Sequence, residues 1–309
     1  MMKKAWLFVA GACLFAVLAG CGVPGSTGMD TQHPSVSSSA EGTAPAEPPS
    51  QKEGSIPSES SASTPSNPEI KTGLIGEQIL EGETGEIHYS YILPEGYDGS
   101  RSYPMMVVMP GYDMMWFGED SSGSNLSWNG FRGWGEQEEK MIVVSAQLTD
   151  WGETSAQQAI ELTEHFLQNF AVDPERVYAA GYSAGGETMS RAVSMRPDLY
   201  AAYLHGASQW DGSYAPVAEE RVAVYIFMAE NDEYYGSQKA RDAYNNLYAA
   251  YAELGLTEEQ ISELLRLEIP DNAYFNSRGI YNYHSGGNIL FDDQEIIDWI
   301  IGKQKARQK

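Results

Sequence analysis

The sequence predicts an α/β protein built on a doubly wound, mostly parallel sheet. Short apolar segments rich in β-branched and aromatic residues alternate along the chain with segments whose apolar residues recur at helical spacing. One apolar segment, at residues 105–109, is unbroken, as expected of a strand that helices cover on both faces. Because strands that alternate with helices connect by right-handed crossovers, they are expected to lie side by side in one sheet.

The individual elements follow from the same patterns. Strands are predicted at residues 77–80, 87–93, 105–109, 141–146, 177–180, 200–205, 222–228 and 267–269, the first two of them antiparallel. Helices are predicted at residues 155–170, 236–254, 257–265 and 293–301, and between Ser183 and Pro197. A long loop is expected at residues 114–135, and its Trp and Phe side chains either line a substrate site or pack against the domain. The sequence leaves both interpretations open.

The N-terminus carries the features of a bacterial lipoprotein signal peptide. Lys3 and Lys4 precede an apolar stretch at residues 5–17, which is too short to span a membrane comfortably. Small residues directly before Cys21 resemble a lipobox. The resemblance implies that residues 1–20 are removed and that the Cys21 thiol carries a diacylglycerol, which would anchor the protein outside the cytoplasm. An ordinary secretory peptide with an incidental cysteine is the alternative.

Composition divides the rest of the chain into a tether and one domain. Residues 21–68 consist largely of Ser, Pro, Thr, Gly, Ala and Glu, so they are predicted to be a disordered tether, and residues 69–309 to form the catalytic domain. The net charge of −24 argues against a nucleic acid partner. The only cysteines, Cys13 and Cys21, precede the domain, which therefore has no disulfide and no cysteine-based metal site.

One short motif suggests a nucleophile. Residues 177–186 read Val-Tyr-Ala-Ala-Gly-Tyr-Ser-Ala-Gly-Gly and place Ser183 between a predicted strand and a predicted helix. Such a sharp turn with glycines two positions either side of a serine is typical of a nucleophile elbow. The N-terminus of the following helix would favour negative charge close to the serine.

A serine nucleophile needs a base and a carboxylate, which are expected at the carboxyl ends of strands. Asp232 follows the predicted strand at 222–228 and is the predicted acid, with Glu230 and Glu233 as alternatives. His284 is the predicted base, because it lies downstream of Asp232 in a predicted loop before the last helix. His205, at the end of a predicted strand, is the competing histidine.

The order Ser183, Asp232, His284 resembles that of the α/β-hydrolases. The resemblance covers residues 75–309 and is greatest to secreted esterases of the feruloyl-esterase and polyester-depolymerase type and to prolyl-oligopeptidase-like members. It implies that the backbone N–H groups of Ala184 and Tyr112 form an oxyanion hole. The chain departs from the family at Met109-Pro110-Gly111-Tyr112, where a His-Gly sequence is usual.

These features together predict a serine esterase that works through an acyl-enzyme without a metal or an organic cofactor. The expected substrate is a small-molecule or polysaccharide-linked ester. Two alternatives remain. One is a serine peptidase of the prolyl-oligopeptidase type, although such enzymes usually carry a β-propeller and the sequence has no matching repeats. The other is a surface lipoprotein that retains the fold as a non-catalytic binding module.

Overall fold

The computed structural model describes residues 71–115 and 124–305. The predictions of a signal peptide, of a lipid on Cys21 and of a tether concern residues outside these ranges, as do Trp116 and Phe117 of the predicted loop. No helix within the described ranges is long and apolar enough to cross a membrane.

Eight strands form one sheet in the order β1-β2-β4-β3-β5-β6-β7-β8. The strands β1 and β2 pair antiparallel, and β2 also pairs antiparallel with β4, whereas every pair from β4 to β8 is parallel. The bounds are β1 Gly73–Gly82, β2 Gly85–Leu93, β3 Tyr103–Met109, β4 Ile142–Gln147, β5 Val172–Tyr182, β6 Ala202–Gly206, β7 Ala223–Phe227 and β8 Leu265–Glu268. The predicted fold class is confirmed.

Ten α-helices connect or cover these strands within the described ranges. They are α1 Tyr112–Met115, α2 Asn129–Gly135, α3 Glu153–Asn169, α4 Ala184–Met195, α5 Ala215–Glu219, α6 Gln238–Glu253, α7 Glu258–Leu264, α8 Asn272–Asn276, α9 Tyr283–Gly286 and α10 Gln294–Ile301. Short 3-10 turns occur at Ser124–Ser127, Pro197–Leu199 and Gly287–Asp292.

Both faces of the sheet are buried, which explains the unbroken apolar segment in the sequence. Successive side chains of β3 point to opposite faces, so that Met105 and Val107 join one apolar cluster while Met106 and Val108 join the other. The first cluster also contains residues of α3, α4 and α6, and the second contains residues of α2 and α10. Full burial of one such side chain stabilises the fold by about 1.5–3 kcal/mol.

Two expectations from the sequence are wrong in detail. The predicted loop at 114–135 contains α2, in which the rings of Phe131 and Trp134 are buried together with that of Trp128, just before the helix. These three aromatic residues therefore pack against the domain and do not form a substrate-binding wall. His284 lies in α9 and not in a loop, because the Asn282 side chain caps a single helical turn that is too short to give a sequence pattern.

Candidate active site

The predicted nucleophile lies at a sharp turn between β5 and α4. Ser183 has a φ of 54° and a ψ of −125°, a conformation that residues other than glycine rarely adopt. Its backbone is held on both sides, since its N–H donates to the Gly206 carbonyl at 3.0 Å and its carbonyl accepts from the Ser208 hydroxyl at 2.7 Å. The turn thus presents Ser183 at the carboxyl edge of the sheet.

Glycines allow backbone segments to approach one another closely at this turn. A Cβ atom on Gly181 would lie 2.5 Å from the carbonyl oxygen of Gly185. A Cβ atom on Gly185 would lie 2.3 Å from the carbonyl oxygens of Met109 and Pro110. The segment that follows β3 therefore packs directly against the first turn of α4, beside Ser183.

A continuous series of hydrogen bonds joins the three predicted triad side chains. The Oγ atom of Ser183 lies 3.0 Å from Nε2 of His284, and Nδ1 of His284 lies 2.8 Å from Oδ2 of Asp232. The Asp232 side chain is fully enclosed, and its Oδ1 accepts from the N–H groups of Tyr234 and Tyr235 at 2.9 and 2.8 Å. This arrangement has the geometry that a serine nucleophile requires.

Hydrogen bonds keep the Asp232 carboxylate ionised although it is buried. Burial alone would raise its pKa, but the hydrogen bonds from His284 and from the Tyr235 N–H outweigh burial and hold the pKa below its usual value. An ionised Asp232 is an acceptor for a proton on Nδ1 of His284, and it favours the tautomer in which Nε2, beside Ser183, carries no proton. That tautomer can accept the serine proton.

The segment that carries His284 is held through its backbone as well as through the imidazole ring. The Glu233 carboxylate accepts from the N–H of Tyr283 at 2.9 Å and from the N–H of His284 at 2.7 Å. The Tyr182 hydroxyl donates to the carbonyl of His284, and the Tyr234 ring stacks on the imidazole with a centroid separation of 5.3 Å. Glu233 and Tyr182 therefore join this segment to the loop of the acid and to the turn of the nucleophile.

The alternative residues from the sequence do not occupy triad positions. Glu230 is exposed, and Glu233 binds backbone N–H groups rather than an imidazole. His205 is fully buried, and its ring contacts the Tyr203 hydroxyl at 2.8 Å and the Ser208 carbonyl at 3.2 Å. Because burial lowers the pKa of His205 to about 4, the ring is neutral near pH 7 and supports the structure beneath the turn.

Ser183 opens into a cleft of about 440 Å³. Gly111, Tyr112 and Ala184 line the cleft, so both segments that were predicted to supply oxyanion donors border it. A Cβ atom on Gly111 would lie 3.6 Å from the Cβ of Ser183, so this loop passes close to the nucleophile. No group of three or more His, Cys, Asp or Glu side chains in the described ranges could hold a metal ion.

Several side chains of the cleft were not predicted from the sequence. Glu187 is 7% exposed and accepts a hydrogen bond from the Tyr235 hydroxyl at 2.7 Å. Trp151 packs edge-on against Tyr112 with a centroid separation of 5.5 Å. The sequence could have indicated both residues. Glu187 follows Ser183 by one helical turn, and Trp151 follows the end of β4 by four residues.

The sequence is similar to one known family over part of its length. Residues 132–257 match the prolyl oligopeptidase family. The matched segment contains Ser183 and Asp232 and ends before His284. No curated protein is significantly similar to the chain.

Solved structures of esterases resemble the chain in fold. A thermostable esterase is 18% identical with a TM-score of 0.62, and the match covers 74% of this chain and 63% of that chain. An esterase of Pyrobaculum calidifontis is 14% identical with a TM-score of 0.51, over 74% of this chain and 84% of that chain. Est1E from Butyrivibrio proteoclasticus is 11% identical with a TM-score of 0.50, over 73% of this chain and 99% of that chain. The chain thus spans less than two thirds of the thermostable esterase.

Proposed function

We propose that this chain, which has the α/β-hydrolase fold, is a serine hydrolase that cleaves carboxylic esters through an acyl-enzyme. The observation that supports the proposal most strongly is the unbroken hydrogen-bonded series from Asp232 through His284 to Ser183. The series ends at a strained turn that opens into a cleft. A hydroxyl, an imidazole and a buried carboxylate in this order activate serine for acyl transfer.

In the first half of the proposed reaction, Ser183 Oγ attacks the ester carbonyl carbon while Nε2 of His284 takes the hydroxyl proton. The carbonyl π electrons move to oxygen and form a tetrahedral oxyanion. The backbone N–H groups of Ala184 and Tyr112 are the proposed donors to this oxyanion, and loss of one such donor typically costs about 3 kcal/mol in the transition state. Asp232 stays ionised and stabilises the imidazolium.

In the second half, the tetrahedral intermediate collapses and the bond to the alcohol oxygen breaks. His284 returns its proton to the leaving alcohol, and Ser183 is left as an acyl ester. Water then attacks this ester with His284 again as the base, and collapse of the second intermediate releases the acid and restores the Ser183 hydroxyl.

A serine peptidase is the second candidate, and one observation favours it. The family that matches residues 132–257 is the prolyl oligopeptidase family. Fold likeness does not separate the two candidates, because solved structures of an esterase and of a dipeptidyl aminopeptidase IV both resemble the chain with a TM-score of 0.51. Ester and amide substrates share the acyl-enzyme chemistry, so turnover of matched ester and peptide substrates distinguishes the two proposals.

Labelling and turnover by point variants test the proposed function. A fluorophosphonate probe and a short-chain p-nitrophenyl ester are applied to the wild type and to Ser183→Ala and His284→Ala, with a peptide p-nitroanilide in parallel. We expect labelling to be lost in both variants and kcat to fall by roughly 10⁴-fold or more, because the triad acts as a unit. Ser262→Ala and His88→Ala, which change residues outside the cleft, are the matched controls.

The outcomes separate the three candidate functions. Turnover that survives Ser183→Ala would contradict the mechanism. Hydrolysis of the p-nitroanilide at a higher kcat/KM than the ester would favour the peptidase. A folded wild type that neither reacts with the probe nor hydrolyses either substrate would favour the binding module.

A further inference from the structure

The cleft contains a buried carboxylate that the proposed mechanism does not use. Glu187 lies in the first turn of α4 and is only 7% exposed. Its Oε1 accepts from the Tyr235 hydroxyl at 2.7 Å, whereas its Oε2 accepts no hydrogen bond from any described residue. Because Oε2 is not itself fully enclosed, it is open to the cleft and is a candidate acceptor for a group on the substrate.

Glu187 lies close to the reacting atoms. It follows Ser183 by one turn of helix, a rise of about 5–6 Å. The Tyr235 hydroxyl, which donates to Glu187, has a raised pKa: burial and the Glu187 carboxylate raise it, and the Ser183 side chain partly opposes them. A group bound at Oε2 of Glu187 would therefore be only a few covalent bonds from the carbonyl that Ser183 attacks.

The charge of the lining favours a cation at this position. Two carboxylates, those of Asp113 and Glu187, border the cleft, and no Lys or Arg is among the described residues that line it. The guanidinium of Arg191, one turn further along α4, is paired with Asp211 at 3.6 Å. Burial raises the pKa of Glu187 and the charge of Asp211 raises it further, and a bound cation would offset both effects.

Aromatic rings surround the same space. Tyr234 and Tyr235 pack edge-to-face with centroids 4.7 Å apart, and Trp151 and Tyr112 form a similar pair. All four rings line the cleft. Aromatic faces attract ammonium groups, and more strongly where water is excluded. A carboxylate with a free oxygen beside several rings is suited to an ammonium group rather than to an anion.

We infer that the cleft selects acyl groups that carry an ammonium group on the first or second carbon beyond the scissile carbonyl, with Glu187 Oε2 as its acceptor. The simplest substrates of this class are α-amino acid esters. The inference rests on the proposed function, because it specifies the acyl group that Ser183 accepts. Glu187 is a specificity-determining residue in this scheme and takes no part in bond making or breaking.

Three methyl esters of nearly equal size test the inference on the full chain. Alanine methyl ester carries an ammonium group, methyl lactate a hydroxyl group and methyl propanoate neither. The assays are run at pH 6.5, where an α-amino group with a pKa of about 7.7–8.0 is protonated. The measured quantity is the kcat/KM of each ester relative to methyl propanoate.

We expect the wild type to prefer alanine methyl ester over methyl propanoate by about 10-fold or more, and over methyl lactate as well. In Glu187→Gln, which keeps the shape and removes the charge, this preference should fall by about 10-fold. Glu253→Gln makes the same chemical change at an exposed position on α6 and should retain the wild-type preference within about 2-fold.

Three results would overturn the inference. The first is a wild type that prefers methyl propanoate or methyl lactate to alanine methyl ester. The second is a preference for alanine methyl ester that is unchanged in Glu187→Gln. The third is a preference that falls as much in Glu253→Gln as in Glu187→Gln. If Glu187→Gln does not fold, Glu187→Ala takes its place, because the intrinsic reactivity of an α-ammonium ester is the same for wild type and variant and cancels in the comparison. Labelling of Ser183 by a fluorophosphonate without turnover of any of the three esters would reject the substrate class but not the nucleophile. Absence of both labelling and turnover would reject the proposed function and the inference with it.

Discussion

Glu233 connects the acid and the base of the candidate triad through the backbone. Its two carboxylate contacts, to the N–H groups of Tyr283 and His284, fix the position of the histidine segment relative to Asp232. Burial would raise the pKa of Glu233, but these two backbone hydrogen bonds outweigh burial and lower it. The carboxylate is therefore ionised near pH 7 and holds both contacts there.

At this position we predict that Glu233→Gln reduces kcat/KM for a short-chain ester by about 10-fold. A glutamine amide offers one acceptor oxygen, so its NH₂ group would face one of the two N–H groups and move the imidazole. Glu230→Gln changes the neighbouring exposed carboxylate, which makes no such contact, and serves as the control. Equal kcat/KM values in the two variants would show that the contacts of Glu233 do not position His284.

The difference between Asp232 and Glu233 shows what the sequence could and could not reveal. Asp232 was predictable because it follows a buried strand and precedes a histidine in a characteristic chain order. The role of Glu233 depends on contacts with residues 50 and 51 positions away, and no local pattern reports such contacts. Glu187 was accessible in principle, since its spacing from Ser183 places it on the same helical face.

Among the elements, the strands of the parallel sheet were the easiest to predict. Burial on both faces produces continuous apolar segments such as β3, and tertiary packing extends β5 to 11 residues, beyond the four predicted. Helix α2 was missed because three of its seven residues are glycines, which have low helix propensity. Aromatic packing stabilises it instead: its Phe131 and Trp134 belong to the same buried cluster as Trp128 and Phe291.

The packing of α4 against the end of β3 leads to a prediction for Gly185→Ala. The added methyl group would lie 2.3 Å from two carbonyl oxygens, so α4 or the segment at Pro110 and Gly111 must shift. We expect the free energy of unfolding in urea to fall by about 1–3 kcal/mol, and ester turnover to fall with it because Gly111 borders Ser183.

Gly76→Ala is the matched control for that prediction. A Cβ atom at Gly76 would have its nearest neighbour, a methyl group of Leu126, at 3.5 Å, which is an ordinary van der Waals distance. Its free energy of unfolding and its turnover should stay close to those of the wild type. If Gly185→Ala were as stable and as active as Gly76→Ala, the close approach of α4 to the end of β3 would not matter for the site.

At the scale of the whole molecule, the alternation of strands and helices was sufficient to predict the fold class. The position of β4 between β2 and β3 was not predictable, because strand order depends on which crossovers pack best and not on local pattern. Lipid attachment at Cys21 stays a prediction, which membrane fractionation of a Cys21→Ser variant would test.

The stability of the domain should depend on pH through His205. Burial lowers its pKa from 6.5 to about 4. Between pH 6.5 and pH 4 the ring is therefore neutral in the folded state but protonated in the unfolded state. The contribution of His205 to the free energy of unfolding is complete above about pH 6.5 and is lost progressively as the pH falls toward 4. The ring lies beneath the turn of the nucleophile, where the Ser208 carbonyl accepts from one of its nitrogens.

We predict that lowering the pH from 7 to 5 reduces the free energy of unfolding of the wild type by about 2 kcal/mol through His205. In His205→Asn this part of the pH dependence should disappear, whatever the absolute stability of the variant, because asparagine does not titrate. His88→Asn removes a partly exposed histidine and should keep the full decrease. Urea unfolding curves at the two pH values measure all three proteins, and an equal decrease in His205→Asn and the wild type would assign the pH dependence to other groups.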